Sequence, residues 1–168
     1  MAQTEASASA GVRGGYCPLQ LTLVGFRGIR SGLGRDRLEL DLRTGSDVTL
    51  VAIAGSNGRG KTTVMDNLHP YLVLPSRATS EGGFSYYDHV YLPENEKDLT
   101  WTHDGRTFRS HVVIRMNGRR RTEAYLFELD PVGTWHPARL DDGTVADGKV
   151  ETYERLVAAI LGPAETFF

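Results

Sequence analysis

The chain has 168 residues, 40% of them hydrophobic and 24% charged, with a formal net charge of −2. That length fits one domain or one lobe of a larger one, and the near-neutral balance excludes a polycation, so any nucleic-acid contact has to come from a local basic patch. A single cysteine, Cys17, excludes an intrachain disulfide and a cysteine zinc cluster, and no apolar run approaches the ~20 residues of a membrane span. These features fit a reducing cytoplasm, with Cys17 expected as a small hydrophobe buried near the start of a strand.

Residues 1–15, rich in Ala, Ser and Gly, are expected to form a disordered tail. Residues 16–168 are then the folded unit. "PLQLTLVGF" sets Leu19, Leu21 and Leu23 against Gln20, Thr22 and Val24, a strand alternation. "FRGIRSGLGRD" is punctuated by glycine and reads as a turn or loop. "RLELDL" alternates again, and "GSD" breaks the chain after it, a spacing that suits an antiparallel pair with a short connection. "VTLVAIA" (Val48–Ala54) is nearly continuous in apolar and β-branched residues, as in a strand buried on both faces.

Beyond it, Val64, Met65 and Leu68 recur at helical spacing, and Pro70 places the end of that helix near His69. Residues 75–98 show no clean period and read as a surface loop with room for a short turn of helix. Asp104-Gly105 and Asn117-Gly118 each lie between β-rich runs and predict two-residue hairpin turns in a three-strand meander. "VGTWHPARL" adds an edge strand or a loop. A second helix is expected over "DGKVETYERLVAAILGP", with Val150, Tyr153, Val157, Ile160 and Leu161 on one face. Asp147 is its candidate N-cap, and Gly162-Pro163 supplies its stop.

The stretch Gly55-Ser56-Asn57-Gly58-Arg59-Gly60-Lys61-Thr62 fits G-x-x-x-x-G-K-[ST] at every fixed position. Glycines such as Gly58 and Gly60 let backbone N–H groups converge on phosphate oxygens without Cβ clashes. A following helix aims its positive end at the same point. Lys61 adds a full charge toward the β and γ phosphates, the Thr62 hydroxyl is placed to ligate Mg²⁺, and Thr63 can reach the α-phosphate side. Arg59 occupies a variable position and reads as solvent-facing.

"GSNGRGKTT" resembles the G-x-N-G-x-G-K-[ST]-[ST] loop of SMC, RecF, RecN and SbcC-type ATPases, the ABC-like DNA-repair group, in which Asn57 in third place is typical. "LQLTLVGFRGI" resembles the group's N-terminal strand, L-x-L-x-N-F-R, with Gly25 in place of the asparagine and Phe26 and Arg27 retained. "LVAAILGPAETFF" resembles the helix and turn before the group's glutamine loop. The resemblance implies an α/β P-loop NTPase fold: the N-terminal lobe of an ABC-type ATPase head, with a mixed sheet and an antiparallel β meander. It also implies ATP and Mg²⁺ as cofactors, Arg27 near the nucleotide, and a role in DNA double-strand break repair or chromosome maintenance. The implied partners are a C-terminal lobe of the same head, a head-to-head homodimer, double-stranded DNA and an SbcD-type nuclease subunit.

Several parts of such a site come later in the family's chains. They are the glutamine loop, the Asp-Glu pair that supplies a metal contact and general base, the Ser-Gly-Gly signature from a second subunit, and a switch histidine. The 168 residues are therefore expected to bind ATP and to be weak or inactive alone. "AYLFELD" imitates the strand that carries the Asp-Glu pair, but it follows Asn117-Gly118 as a hairpin partner, and Pro131 stands where the glutamate would be. "TSEGGF" (79–84) has the wrong order for the signature, and "DPVG" lacks the base-recognition motif of a GTPase. The five histidines show no metal-ligand spacing. The alternative is a stand-alone small P-loop kinase or nucleotide-binding protein, with Asp130 as a metal carboxylate and a substrate pocket from residues 75–98. A basic patch is also expected at the second hairpin tip, from Arg115, Arg119, Arg120 and Arg121, joined by Arg106 and Arg109. It would either track nucleic-acid phosphates or protect a sheet edge.

Overall fold

The computed structural model describes residues 15–43, 51–77 and 85–168. The expected tail, except Gly15, and "TSEGGF" lie outside those residues. So do residues 44–50, which include "GSD" and Val48–Leu50.

Among the described residues six strands form one sheet in the order β2-β1-β3-β4-β5-β6, every neighbouring pair antiparallel. They are β1 (Cys17–Val24), β2 (Arg37–Asp41), β3 (Glu94–His103), β4 (Arg106–Arg115), β5 (Arg121–Leu129) and β6 (Trp135–Pro137). Among the described residues these α-helices accompany them: α1 (Arg27–Leu33), α2 (Lys61–Met65), α3 (Val150–Leu161) and α4 (Ala164–Phe167). Alternation puts one face of the sheet in the core. Leu21 lies between Leu40 and Leu99, and Leu23 lies between Leu38 and Lys97. Trp101 faces Phe108 with ring centres 4.6 Å apart. Its indole N–H reaches the Ser110 hydroxyl at 3.0 Å, so a large apolar body is buried with its one donor satisfied. Helix α3 covers this face at β5 with Tyr153, Leu156 and Val157, all buried.

The α/β character and the meander agree with the sequence expectation, whereas the mixed sheet does not: all pairing among the described residues is antiparallel. Residues 51–54 belong to none of the strands; Val51, Ala52 and Ala54 are exposed and Ile53 is half-buried. A strand covered on both faces needs a sheet around it, and β1–β6 do not supply one there. The segment expected as a loop after β1 is helix α1. Its glycines are packing contacts rather than breaks, as the site geometry makes clear.

Helix α2 stops at Met65, short of His69. The Asn67 side-chain amide donates to the Thr63 carbonyl at 2.7 Å, and the Asn67 backbone N–H turns to Val64 instead, at 3.0 Å. That exchange tightens the last turn and ends the helix. Strand β3 begins at Glu94, inside the stretch expected as a loop. Two single 3₁₀ turns, Pro75–Arg77 and Tyr86–Asp88, precede it. Asp104 and Gly105 both take positive φ, as a two-residue hairpin requires. The second hairpin differs: Arg115 pairs with Arg121, so Met116–Arg120 form a five-residue loop in which Gly118 has positive φ. Cys17 is exposed, not buried, because the first residue of β1 precedes the covered part of the strand. Asp147 does not cap α3. Lys149 holds the N-cap position, and the Asp147 carboxylate accepts the Lys149 N–H at 3.0 Å in a local turn. Gly162 ends α3 at φ 86°.

His69 follows the shortened α2 and is buried against Tyr71, Phe167 and Phe168. Among the described residues neither ring nitrogen has a hydrogen bond of normal geometry, and only the backbone of Asp66 and Tyr71 comes close. Burial, reinforced by the charge of Lys97, pushes the imidazole down to about 3. The native state therefore holds His69 neutral where the unfolded chain protonates it, so stability is lost as pH falls from about 6.5 toward about 3. We expect a loss on the order of 4 kcal/mol across that window in urea denaturation, and a flatter pH profile for His69→Phe. An unchanged profile would show that the buried ring is not the titrating group.

Candidate functional site: the phosphate loop and the helix against it

The loop from Gly55 to Gly60 enters α2 with Gly58 at φ 77° and Gly60 at φ 83°, both in the left-handed region that glycine adopts freely. Lys61 folds back across it. Its ammonium donates to the Gly55 carbonyl at 2.6 Å and to the Ser56 carbonyl at 2.8 Å. The first N–H groups of any helix lack intrahelical partners, so Lys61, Thr62 and Thr63 turn donors toward the mouth of the loop. Helix α2 has five residues, so its macrodipole is far smaller than the sequence argument assumed. Any anion at the loop would be held by local N–H groups and Lys61.

The opposite wall is α1. An alanine Cβ at Gly28 would lie 1.9 Å from Thr63 Oγ1. One at Gly32 would lie 2.5 Å from the Arg59 carbonyl carbon, and 2.7 Å from both Gly58 O and Gly60 N. Gly28 and Gly32 are four residues apart and share one helix face, so together they let α1 lie directly on the loop backbone. Arg59 is not simply solvent-facing: its Nη1 donates to the Gly32 carbonyl at 3.3 Å. The far end of α1 is held by Arg30, which donates to Asp36 at 2.8 Å, and by the Tyr91 hydroxyl on the same carboxylate.

Two cavities open on either side of this contact. One of about 400 Å³ is lined by Asn57, Gly58, Gly60, Lys61, Thr62 and Thr63, with Gly28 and Ser31 from α1. A second, of about 240 Å³, shares Gly28, Ser31, Thr62 and Thr63, and adds Arg27 and buried Asp66. The structure thus brings Asn57, Gly58, Gly60, Lys61, Thr62, Thr63 and Arg27 around two adjoining cavities. At the origin of α1, Gly25 takes φ 76°, and a Cβ there would lie 1.9 Å from Asn95 Oδ1. The asparagine that the resemblance expects at this position would collide with Asn95, so glycine is required.

The arginines are more dispersed. Strand β4 puts Arg106 and Arg115 roughly 30 Å apart, so Arg106 and Arg109 do not join the second hairpin tip. Each is engaged elsewhere: Arg106 with Glu128 at 2.7 Å, and Arg109 with Asp98 at 2.7 Å. At the tip, Arg115 pairs with Glu94 and Glu123, and Arg121 pairs with Glu123 at 2.9 Å. Arg120 lies over the Tyr87 ring at 5.5 Å, and Arg119 is exposed. Among the described residues, only Arg119 and Arg120 of the expected set face no carboxylate at ion-pair distance.

Asp130 caps the β5–β6 turn. Its carboxylate accepts the Val132 and Thr134 N–H groups at 3.0 and 2.8 Å and meets His136 Nε2 at 2.8 Å. That is a turn role, in line with the hairpin reading of "AYLFELD". Sequence spacing missed a cross-strand group: Glu96, Asp98 and His111 lie within 4.8 Å of one another on the outer sheet face. Arg109 holds the same Asp98 carboxylate, so the group is an ion network between β3 and β4. Only the register Asp98–His111 reveals it.

No protein-family model matches the chain, and neither a curated protein nor a solved structure does. Among the described residues, no helix is long and apolar enough to cross a membrane.

Proposed function

We propose that residues 55–63 hold the phosphates of a magnesium nucleotide, and that the chain is the N-terminal lobe of an SbcC/SMC-like, ABC-type ATPase head. The observation that carries this reading is the loop itself. Two left-handed glycines shape it, Lys61 bridges two of its carbonyls, and Thr62 and Thr63 line the cavity at its mouth.

The donor set suits ATP with Mg²⁺. Backbone N–H groups and a flexible ammonium match phosphate oxygens, and a hydroxyl matches a hard cation. Lys61 would exchange the Gly55 and Ser56 carbonyls for phosphate oxygens, Thr62 would ligate the metal, and Thr63 and Arg27 would border the remaining phosphates. The nucleotide would supply the transferable phosphoryl group; the chain's own residues bind and orient it. Hydrolysis would need a general base and opposing donors from a C-terminal lobe and a head-to-head partner. The exposure of Val51, Ala52 and Ala54 beside the loop supports a second lobe that covers this run. Adenine preference, a cytoplasmic place in DNA repair or chromosome maintenance, and an SbcD-type nuclease partner follow from the resemblance. Duplex DNA would meet the lobe at Arg119 and Arg120.

Steady-state assays with Mg-ATP test this reading. The isolated chain is expected to turn over no faster than Lys61→Ala, with water or with small phosphoryl acceptors, and Asp130→Asn to change nothing. Robust turnover abolished by Asp130→Asn would establish a self-sufficient small kinase instead.

A further inference from the structure

The core face of β3 carries an ionisable group that phosphate binding, as described, leaves without a role. Lys97 is fully buried between Leu23 and Val112 on the neighbouring strands. Its ammonium lies 3.4 Å from the Tyr71 carbonyl and 3.3 Å from the Tyr86 hydroxyl, both neutral and both distant for a charged donor. Asp66 and His69, on the segment after α2, interact with it through charge, and the Tyr86 ring centre lies 6.0 Å away. Among the described residues, no carboxylate reaches ion-pair distance. Burial pulls the amine down to about 7, and Asp66 offsets part of that pull. Charged and neutral forms are therefore balanced near neutral pH.

Asp66, whose charge acts on this amine, also borders the loop. It is the C-cap of α2, it is buried, and its carboxylate accepts the Ser76 N–H at 3.0 Å. It also lines the cavity that Thr62, Thr63 and Arg27 share.

We propose that Lys97 is a positioning residue for the phosphate loop, coupled to it through Asp66, so that binding of a magnesium nucleotide draws a proton onto Lys97. The proposal rests on the phosphate-binding reading of residues 55–63. A polyphosphate at Thr62 and Thr63 adds negative charge on the α2 side of the amine, across a packed interior that screens poorly, and favours the ammonium form. By linkage, nucleotide affinity rises as pH falls through the Lys97 midpoint. The ammonium in return steadies Asp66, and with it the end of the helix that presents Lys61, Thr62 and Thr63.

The chain contains three lysines, Lys61, Lys97 and Lys149, so side-chain NMR of protein labelled at lysine Cε reports on each. Lys61 reports on the loop, Lys97 on the core, and Lys149, largely exposed, serves as a control. Titrated with a non-hydrolysable magnesium ATP analogue, Lys97 is expected to raise its midpoint by roughly one pH unit, while Lys149 stays in place. A Lys61 signal that moves while the Lys97 midpoint does not would overturn this proposal and leave the loop reading standing. A Lys61 signal that does not respond at saturating analogue would overturn both. Calorimetry in two buffers of different ionisation heat gives a second measure. Wild type is expected to take up a fraction of a proton near neutral pH and Lys97→Met less; equal uptake would overturn the coupling. The NMR titration needs only wild-type protein, so a poorly folding variant does not block the test.

Discussion

Replacing Gly32 by alanine is expected to weaken magnesium-nucleotide binding at least about tenfold while leaving the sheet folded. The added methyl would fall within 2.7 Å of the backbone of Gly58, Arg59 and Gly60. Trimming a side chain cannot relieve that clash, since the three nearest atoms are all main chain. Either α1 lifts or the loop shifts, and in both cases the converging N–H groups lose their aim. Overpacking of this kind costs about 1–3 kcal/mol, most of it at the site. Gly34→Ala is the control. Gly34, unlike Gly32, takes positive φ, at 67°, and no atom lies within 4 Å of the added Cβ. It should cost about 1 kcal/mol of stability and leave affinity unchanged. If Gly32→Ala binds nucleotide like wild type, α1 does not shape the loop.

Asn95→Ala should be the most destabilising of the polar substitutions near the site, at about 3 kcal/mol in urea denaturation. Asn95 is fully buried. Its carbonyl accepts the Leu92 N–H at 2.9 Å, and its amide donates to the carbonyls of Leu92 and Ile114 at 2.8 and 3.0 Å. Truncation strands three backbone groups at once, each costing about 1–3 kcal/mol where water cannot replace the partner. The same side chain presses on Gly25, from which α1 springs, so nucleotide affinity should fall alongside stability. A loss below about 1 kcal/mol would mean that water satisfies these groups in the variant.

Asn95 and Lys97 also explain why β3 was only half legible. Both point into the core, so the inward positions before Leu99 are polar and the apolar alternation begins late. Where the alternation is clean, in β1, β2, β4 and β5, strand and pairing follow from the sequence. The same holds for α3, whose apolar face and Gly162 stop are both visible, though Leu156 joins that face unannounced. Helix α1 was hidden for the opposite reason: Gly28 and Gly32 look like punctuation, and their role as contact glycines appears only once the loop lies against them. The glycine-lysine pattern of residues 55–62 was plain in the sequence, and Gly58 and Gly60 do take the left-handed backbone that it implies. The helix behind it was overestimated, since nothing local tells that the Asn67 side chain takes the Thr63 carbonyl. The arginine cluster failed on register, because neighbours in sequence around a ten-residue strand end up at its two ends.

Isothermal titration of the folded chain with Mg-ATP tests the central claim most directly. Saturable binding heat is expected for wild type, and its loss is expected for Lys61→Ala, whose fold should be intact because, among the described residues, the lysine side chain bonds only to loop carbonyls. No heat with the wild-type protein, or the same heat without the Lys61 ammonium, would contradict the account.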